Sequence, residues 1–366
     1  MRHLSFLLAL LPAATPYSRP VTRTAALRVA AGAASGVLAS RGAAAALSDA
    51  VLYDTRTRSF LSADPQRELG GALAARRRGP GADAAPRVFF AGEEHPNAAH
   101  HALQLELVKA VDALDAAPTL VGLEMCYREH QPYLDEFVFG TDRSLATLAR
   151  RTAWSATWGF DLALYAPVFE HARAAGLRLC GLNVPYPLVR RVSQVGVEGL
   201  EPDARARLPN MDLANREHRR RFGASLDEAM GEAQPRGEQF SRYYEAMTLW
   251  DEYMAASVAG YVRADVVPGA GVGGAANTGA ERMVVLAGTG HVRGRVGMPD
   301  RFTRRTGLGT FTVVPLEADE SWPAVPRPLP ARAEGDWVLY TPPQTETAEQ
   351  LTARAGPFPD ALLLAS

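Results

Sequence analysis

Cysteine is scarce in this chain, and its scarcity argues against two kinds of protein. Only Cys126 and Cys180 occur among the 366 residues. Two cysteines do not make a disulfide framework, and the sequence has no Cys-x-x-Cys-His motif for covalently attached c-type haem. Each cysteine lies in or beside a predicted strand, so we expect two buried free thiols.

Net charge is also small, and two common enzyme motifs are missing or unsuitable. The formal charge of -1 gives no indication of a surface for nucleic acid. No Gly-x-Ser-x-Gly motif occurs, which argues against a serine hydrolase of the usual α/β type. Residues 269–274 spell Gly-x-Gly-x-x-Gly, but no helix pattern follows them. We therefore interpret them as a flexible surface insertion rather than a dinucleotide-binding loop.

The first 48 residues contain no acidic side chain, although they contain five arginines. An apolar run over residues 4–11 is too short to span a bilayer, and a second run over residues 29–46 is interrupted by Arg41. This double pattern resembles the bipartite presequences of plastid proteins in algae with complex plastids. We predict a presequence over residues 1–48 that directs the protein to the plastid, with the second run directing entry into the thylakoid lumen. The alternative is a secretory signal followed by an alanine-rich segment, and neither leaves a transmembrane span in the mature protein.

Apolar strand patterns alternate with amphipathic helix patterns, which is typical of a mostly parallel α/β fold. In residues 88–101 a strand breaks at Gly92 and a helix begins after Pro96. Further strands are predicted over residues 119–125, 177–183, 283–291 and 311–316, and a small hairpin over residues 51–61. Residues 188–264 show only helical patterns, including one long helix over residues 243–262, and are interpreted as an inserted helical subdomain.

Polar side chains occur where the predicted strands end. They are Glu93 with His95, Glu124, Asn183 and His291. Because parallel strands bring their carboxyl ends to one edge of a sheet, we expect these residues to share a functional site. Each alone has an ordinary explanation, such as a helix cap or a turn. Two histidines and two carboxylates suit a divalent metal, acid–base chemistry or a larger cofactor, and the pattern does not choose among them.

The histidines on predicted helices are expected to divide between this site and solvent. His101 lies in the second turn of its helix and is expected to face the strand ends. His100, His130 and His171 are predicted to be at the surface. The basic cluster at residues 216–221, which includes His218, is interpreted as a solvated helix face.

Several motifs, in this order and spacing, resemble the ChaN-like haem-binding family, which belongs with the erythromycin esterase and Tiki/TraB proteins. They are Gly92-Glu93-x-His95 with His101, Gly122-Leu123-Glu124-Met125, Gln131, residues 158–165, Leu182-Asn183-x-Pro185, Leu249-Trp250-Asp251-Glu252-x-Met254-Ala255, and Leu286-Ala287-Gly288-x-Gly290-His291 with Gly297-x-Pro299. The resemblance implies a three-layer α/β/α domain over residues 49–320 with the helical insertion at about 188–264. A Pro-rich tail over residues 321–366 would follow it. Met247 departs from the pattern, where glutamine is expected.

The resemblance also implies non-covalent binding of haem or a related tetrapyrrole, with a homodimer able to enclose it. Such a site needs an apolar wall and an axial His or Tyr. The expected contacts are Glu93, His95, His101, Glu124, Trp158, Tyr165, Asn183 and His291. With the presequence, this predicts a role in plastid haem or iron handling. The alternative is a hydrolase, metal-assisted or acid–base, that uses His95, His291, Glu93 and Glu124. A third possibility is a scaffold without ligand or activity.

Overall fold

The computed structural model describes residues 50–61, 69–74, 86–231, 234–262, 282–317 and 334–341. The predicted presequence, the glycine-rich segment at residues 269–274 and most of the predicted tail lie outside these described residues.

Eight strands form one sheet in the described part of the chain. They are β1 (Val51–Asp54), β2 (Ser59–Phe60), β3 (Val88–Glu93), β4 (Thr119–Tyr127), β5 (Arg178–Asn183), β6 (Arg282–Gly288), β7 (Thr310–Glu317) and β8 (Trp337–Thr341). Their order across the sheet is β2-β1-β8-β7-β3-β6-β4-β5. The strands from β8 to β5 run parallel, whereas β1 is antiparallel to β2 and β8. The predicted mostly parallel sheet is confirmed.

Helices cover both faces of this sheet. They are α1 (Ala98–Asp112), α2 (Gln131–Phe139), α3 (Leu145–Arg151), α4 (Trp154–Thr157), α5 (Leu162–Ala175), α6 (Tyr186–Val195), α7 (Pro202–Ala206), α8 (Arg216–Met230), α9 (Gly237–Val262), α10 (Thr289–Val292) and α11 (Met298–Thr306). Successive strand residues point to opposite faces, so Phe89 packs in the core with α1 and α5, whereas Phe90 packs with α9 and α11. The result is a three-layer α/β/α architecture.

The helical segment predicted between β5 and β6 forms much of the second layer. Helix α9 has 26 residues, and Leu249 and Val258 are among those it buries. They belong to the same apolar core as Leu182 of β5 and Val285 of β6. No helix in the described ranges is both long and apolar enough to cross a membrane.

Strand β8 extends the sheet beyond residue 320, where the sequence places the end of the domain. All five of its residues are buried, and it lies between β1 and β7. The apolar run from Trp337 to Tyr340 accounts for this position, because a strand buried on both faces needs apolar side chains throughout.

The carboxyl edge of the sheet is shaped by short turns. After β3, the side chain of Asn97 accepts hydrogen bonds from the backbone N–H groups of Ala99 and His100, which starts α1. After β6, α10 follows without an intervening loop. Both cysteines are free and buried, as predicted.

Candidate functional site

The end of β3 presents a buried carboxylate–histidine pair. His95 Nδ1 lies 2.8 Å from Glu93 Oε1, and Gln104 Nε2 donates to Glu93 Oε2 at 2.7 Å. Burial raises the pKa of Glu93, but His101 and the hydrogen bond with His95 outweigh it and hold the pKa at about 2. Glu93 is therefore a carboxylate at neutral pH.

A second pair is formed by His291 in α10 and Asp251 in α9. His291 Nδ1 lies 2.6 Å from Asp251 Oδ1, and its Nε2 lies 3.3 Å from Glu124 Oε1 at β4. Burial lowers the pKa of His291, but the charges of Glu124 and Asp251 prevail and raise it to about 10. His291 is therefore a buried imidazolium between two carboxyl groups.

Gly288 lies between the two pairs. A Cβ atom added to Gly288 would lie 3.3 Å from His95 Nε2 and 3.6 Å from Glu124 Oε2, and the Gly288 N–H donates to the same Glu124 oxygen. Burial lowers the pKa of His95, whereas Glu93 and then Glu124 raise it, and the net shift is upward. Gly288 thus has His95 and Glu124 as neighbours, and His291 Nε2 faces Glu124. We name Glu93, His95, Glu124, Asp251 and His291 the acid–base centre.

An aromatic wall covers the side of the centre that faces α4 and α5. The Trp158 and Phe160 rings lie 4.8 Å from the His95 ring, between centroids. Tyr165 donates its hydroxyl proton to Glu93 Oε1 at 2.8 Å and accepts from Trp158 Nε1 at 2.9 Å. Burial and the charge of Glu93 raise the pKa of Tyr165 well above its usual range, so the phenol stays protonated.

The other two predicted residues, His101 and Asn183, hydrogen-bond to the backbone of the centre rather than to its side chains. His101 Nε2 donates to the backbone oxygen of His95 at 2.8 Å, which fixes the turn after β3. Asn183 Nδ2 donates to the backbone oxygen of Glu124 at 2.8 Å. The structure therefore brings all eight predicted residues to one edge of the sheet.

Of the four histidines that the sequence places at the surface, three are buried and one is partly buried. His100 is fully buried, because its Nδ1 accepts the backbone N–H of Glu94 at 2.9 Å and closes the turn. His130 is also buried, and its Nδ1 accepts the N–H of Tyr127 at 3.2 Å. His218 is buried beside Asp251 rather than solvated. His171 is partly buried.

Sequence reasoning missed Asp251 and Gln104 as parts of the site. Asp251 belongs to one of the motifs that resemble the family, but the sequence assigned it no role at the site. It lies within a 26-residue helix, not at a strand end, so the rule that located the other residues does not reach it. Gln104 lies three residues after His101, on the same face of α1, and that spacing is the signal that was available.

The centre fits an axially ligated haem poorly in this arrangement. The Tyr165 hydroxyl is engaged by Glu93 and Trp158. Nδ1 of His95 is engaged by Glu93, and both nitrogens of His291 lie against the carboxyl groups of Asp251 and Glu124. The aromatic wall suits a tetrapyrrole, but iron coordination here requires one of these contacts to break.

Metal-ligand geometry is likewise not found. Within the described residues, no group of three or more His, Cys, Asp or Glu side chains is arranged to hold a metal ion. Acid–base chemistry by the chain's own residues needs no such arrangement.

Two solved structures and one family model are similar to this chain, and the first of the structures has the same fold. ChaN of Campylobacter jejuni, solved with cofacial heme, aligns with a TM-score of 0.54 and 16% identity, over 80% of this chain and 96% of that chain. A mutant of the erythromycin esterase EreC in its open conformation aligns with a TM-score of 0.40 and 16% identity, over 79% of this chain and 82% of that chain. No curated protein matches the chain. A family model described as "Haem-binding uptake, Tiki superfamily, ChaN" matches residues 82–302. That range is more than half of the sequence, and the chain belongs to this family.

Proposed function

We propose that the acid–base centre catalyses hydrolysis of an ester or amide bond. The observation that carries this proposal is that two buried carboxylate–histidine pairs lie beside Glu124: His291 Nε2 is 3.3 Å from Glu124 Oε1, and Gly288 has both His95 and Glu124 as neighbours. Burying five ionisable groups together is a poor way to stabilise a fold, because apolar residues of similar volume serve as well or better. Groups that exchange protons with a substrate need this kind of preorganised, desolvated environment.

Each group has a distinct role in this proposal. Glu124 is the general base: it takes a proton from water as the water oxygen forms a bond to the substrate carbonyl carbon. His291, which is protonated at neutral pH because its pKa lies near 10, gives its proton to the leaving oxygen or nitrogen as the bond to carbon breaks. Asp251 orients His291, and the His95–Glu93 pair faces the base from the other side of Gly288.

A panel of ester and peptide substrates tests this function on the purified chain. Because Gln keeps the shape of Glu but cannot take a proton, Glu124→Gln is expected to lower kcat at least about a hundredfold. Glu201→Gln, at an exposed glutamate, is the matched control and is expected to keep full activity. Equal turnover by the Glu124→Gln variant, or no turnover with any substrate, would contradict the proposal.

Haem binding, with a role in plastid haem or iron handling, is the second function we propose. It is supported by the family match over residues 82–302 and by the aromatic wall beside His95. Because Nδ1 of His95 is engaged by Glu93 and both nitrogens of His291 lie against carboxyl groups, binding at this centre requires the turn after β3 to move. The turn carries His95, whose ring packs on Trp158, so binding should also change the fluorescence of Trp158.

Hemin titration tests this second function. A shifted Soret band is expected for the parent chain, weakened in His95→Ala and His291→Ala and kept in His171→Ala, whose side chain lies outside the centre. A spectrum identical to that of hemin in buffer would refute haem binding. The proposed plastid location has its own test, in which residues 1–48 are fused to a fluorescent protein and plastid import is compared with secretion.

A further inference from the structure

Helix α8 carries an imidazole that lies behind the acid–base centre. His218 is 4% exposed, and its ring packs against Tyr244 with the centroids 5.3 Å apart. The polar groups that face it come from two other helices. They are Asp251 and Tyr244 on α9 and Arg301 on α11.

These contacts determine which nitrogen of His218 carries the proton. Arg301 Nη2 lies 3.1 Å from His218 Nδ1, and a guanidinium group can only donate. The Tyr244 hydroxyl lies 3.2 Å from the same nitrogen and 3.1 Å from the Asn215 carbonyl oxygen, so it does not decide the role of Nδ1. Because Arg301 can only donate, Nδ1 accepts, and the proton of the neutral ring is on Nε2.

The other ring nitrogen of His218 contacts Asp251. His218 Nε2 lies 2.9 Å from Asp251 Oδ2, while Asp251 Oδ1 lies 2.6 Å from His291 Nδ1. The fully buried carboxylate thus has an imidazole nitrogen against each of its oxygens. Rotation of the carboxylate away from His291 would also disturb its contact with His218.

We propose that His218 is a positioning residue of the acid–base centre: it donates from Nε2 to Asp251 and thereby fixes His291 towards Glu124. The chain of contacts runs Arg301, His218, Asp251, His291, Glu124. Its effect on turnover rests on the proposed hydrolytic function, but its effect on His291 does not.

Three substitutions of His218 separate positioning from packing. Gln places an amide N–H close to the position of Nε2, Asn is too short to reach Asp251, and Leu fills the space without a donor. The first measurement is the low-field proton resonance of His291 Nδ1–H and the pKa of His291, both by NMR. We expect His218→Gln to keep the parent values, and His218→Asn and His218→Leu to shift them. If kcat is measurable, Asn and Leu should lower it about tenfold or more with little change in KM, and Gln should restore it.

Tyr244→Phe is the matched control, because it removes a hydroxyl next to His218 that does not belong to the chain of donors. It should leave the His291 resonance unchanged. An unchanged resonance in folded His218→Asn, or an equal shift in Tyr244→Phe, would overturn the proposal. Should His218→Leu not fold, the Asn and Gln pair decides. A shifted resonance without turnover in any variant would instead refute the hydrolytic function and leave the positioning role standing.

Discussion

At the scale of single residues, Gly288 sets how closely the two halves of the acid–base centre approach. Its backbone angles, φ -54° and ψ 140°, are open to any residue, so alanine brings no backbone strain. The added Cβ would lie 3.0 Å from His95 Cε1, closer than ordinary contact. We expect Gly288→Ala to fold with a loss of about 1–3 kcal/mol while displacing the His95 ring from Glu124. The pKa of His95, followed by NMR, should change, and any hydrolytic kcat should fall.

Gly290 provides the control for this substitution. It lies two residues further along, and a Cβ there would meet nothing within 4 Å. Gly290→Ala should therefore keep the unfolding midpoint and the pKa of His95. If Gly288→Ala gave the same parent-like values as Gly290→Ala, close approach at Gly288 would not matter for the centre.

The residues at strand ends could be predicted from sequence, whereas the residues that orient them could not. Glu93 and Glu124 lie in apolar strands, and His291 follows β6 in the short helix α10 rather than in the strand that the sequence predicts up to residue 291. Parallel strand topology then gathers them. Asp251 and His218 meet across 33 residues of chain between two helices, and no local pattern encodes that contact. His218 also stands among four arginines at residues 216–221, which made a solvated face the simplest interpretation.

At the scale of elements, the parallel strands could be predicted and the role of the long helix only in part. Buried strands are short apolar runs, which are visible in the sequence. The predicted ranges of β3 to β7 are therefore close to the observed ones. Helix α9 carries two adjacent acids that an amphipathic pattern would assign to solvent. Both are fully buried because each has its own partners: Asp251 has the two histidines, and Glu252 accepts from Arg304 and Arg305 of α11.

Strand β8 shows a second limit at this scale. Its residues lie in the segment that the sequence assigns to a Pro-rich tail, so this strand was not predicted, and nothing local states which strands it joins. Its residues pair with β7 in parallel and with β1 in antiparallel register. The first and last described strands of the chain are thereby neighbours, a contact between distant segments that sequence periodicity does not contain.

At the scale of the whole molecule, the buried ionisable groups make stability depend on pH on both sides of neutrality. On the acid side, Glu93 has a folded pKa of about 2 against 4.5 unfolded, since His101 and His95 outweigh burial. The contribution of the Glu93 carboxylate to the free energy of unfolding is present above pH 4.5 and is lost as pH falls towards 2. His100 adds to this loss, because burial lowers its pKa to about 3 and only the unfolded chain takes up its proton below pH 6.5.

On the alkaline side, the pKa shift of His291 has the opposite effect on the pH dependence of stability. Burial lowers its pKa, but Glu124 and Asp251 raise it from 6.5 to about 10, so its contribution is complete below pH 6.5 and is lost as pH rises through 10. Between these values the folded chain binds more protons than the unfolded chain, and the free energy of unfolding should fall by about 1.4 kcal/mol per pH unit for each such proton. The pKa of His95 is also raised by Glu93 against the effect of burial. His95 therefore makes the decrease in the free energy of unfolding with rising pH steeper.

We therefore predict that urea unfolding shows maximal stability near pH 6.5 and a negative slope from there to pH 9.5. Replacing His291 by Gln should lower stability at pH 6.5, because Asp251 and Glu124 lose a buried cation. The same change should flatten the alkaline slope by about one proton, since the group that releases it is gone. His171→Gln removes a histidine whose pKa is lowered, chiefly by burial, so it should leave that slope as it is. An alkaline slope in His291→Gln as steep as in the parent would mean that His291 is not an imidazolium between two carboxylates, and the proton-donor role assigned to it would fail.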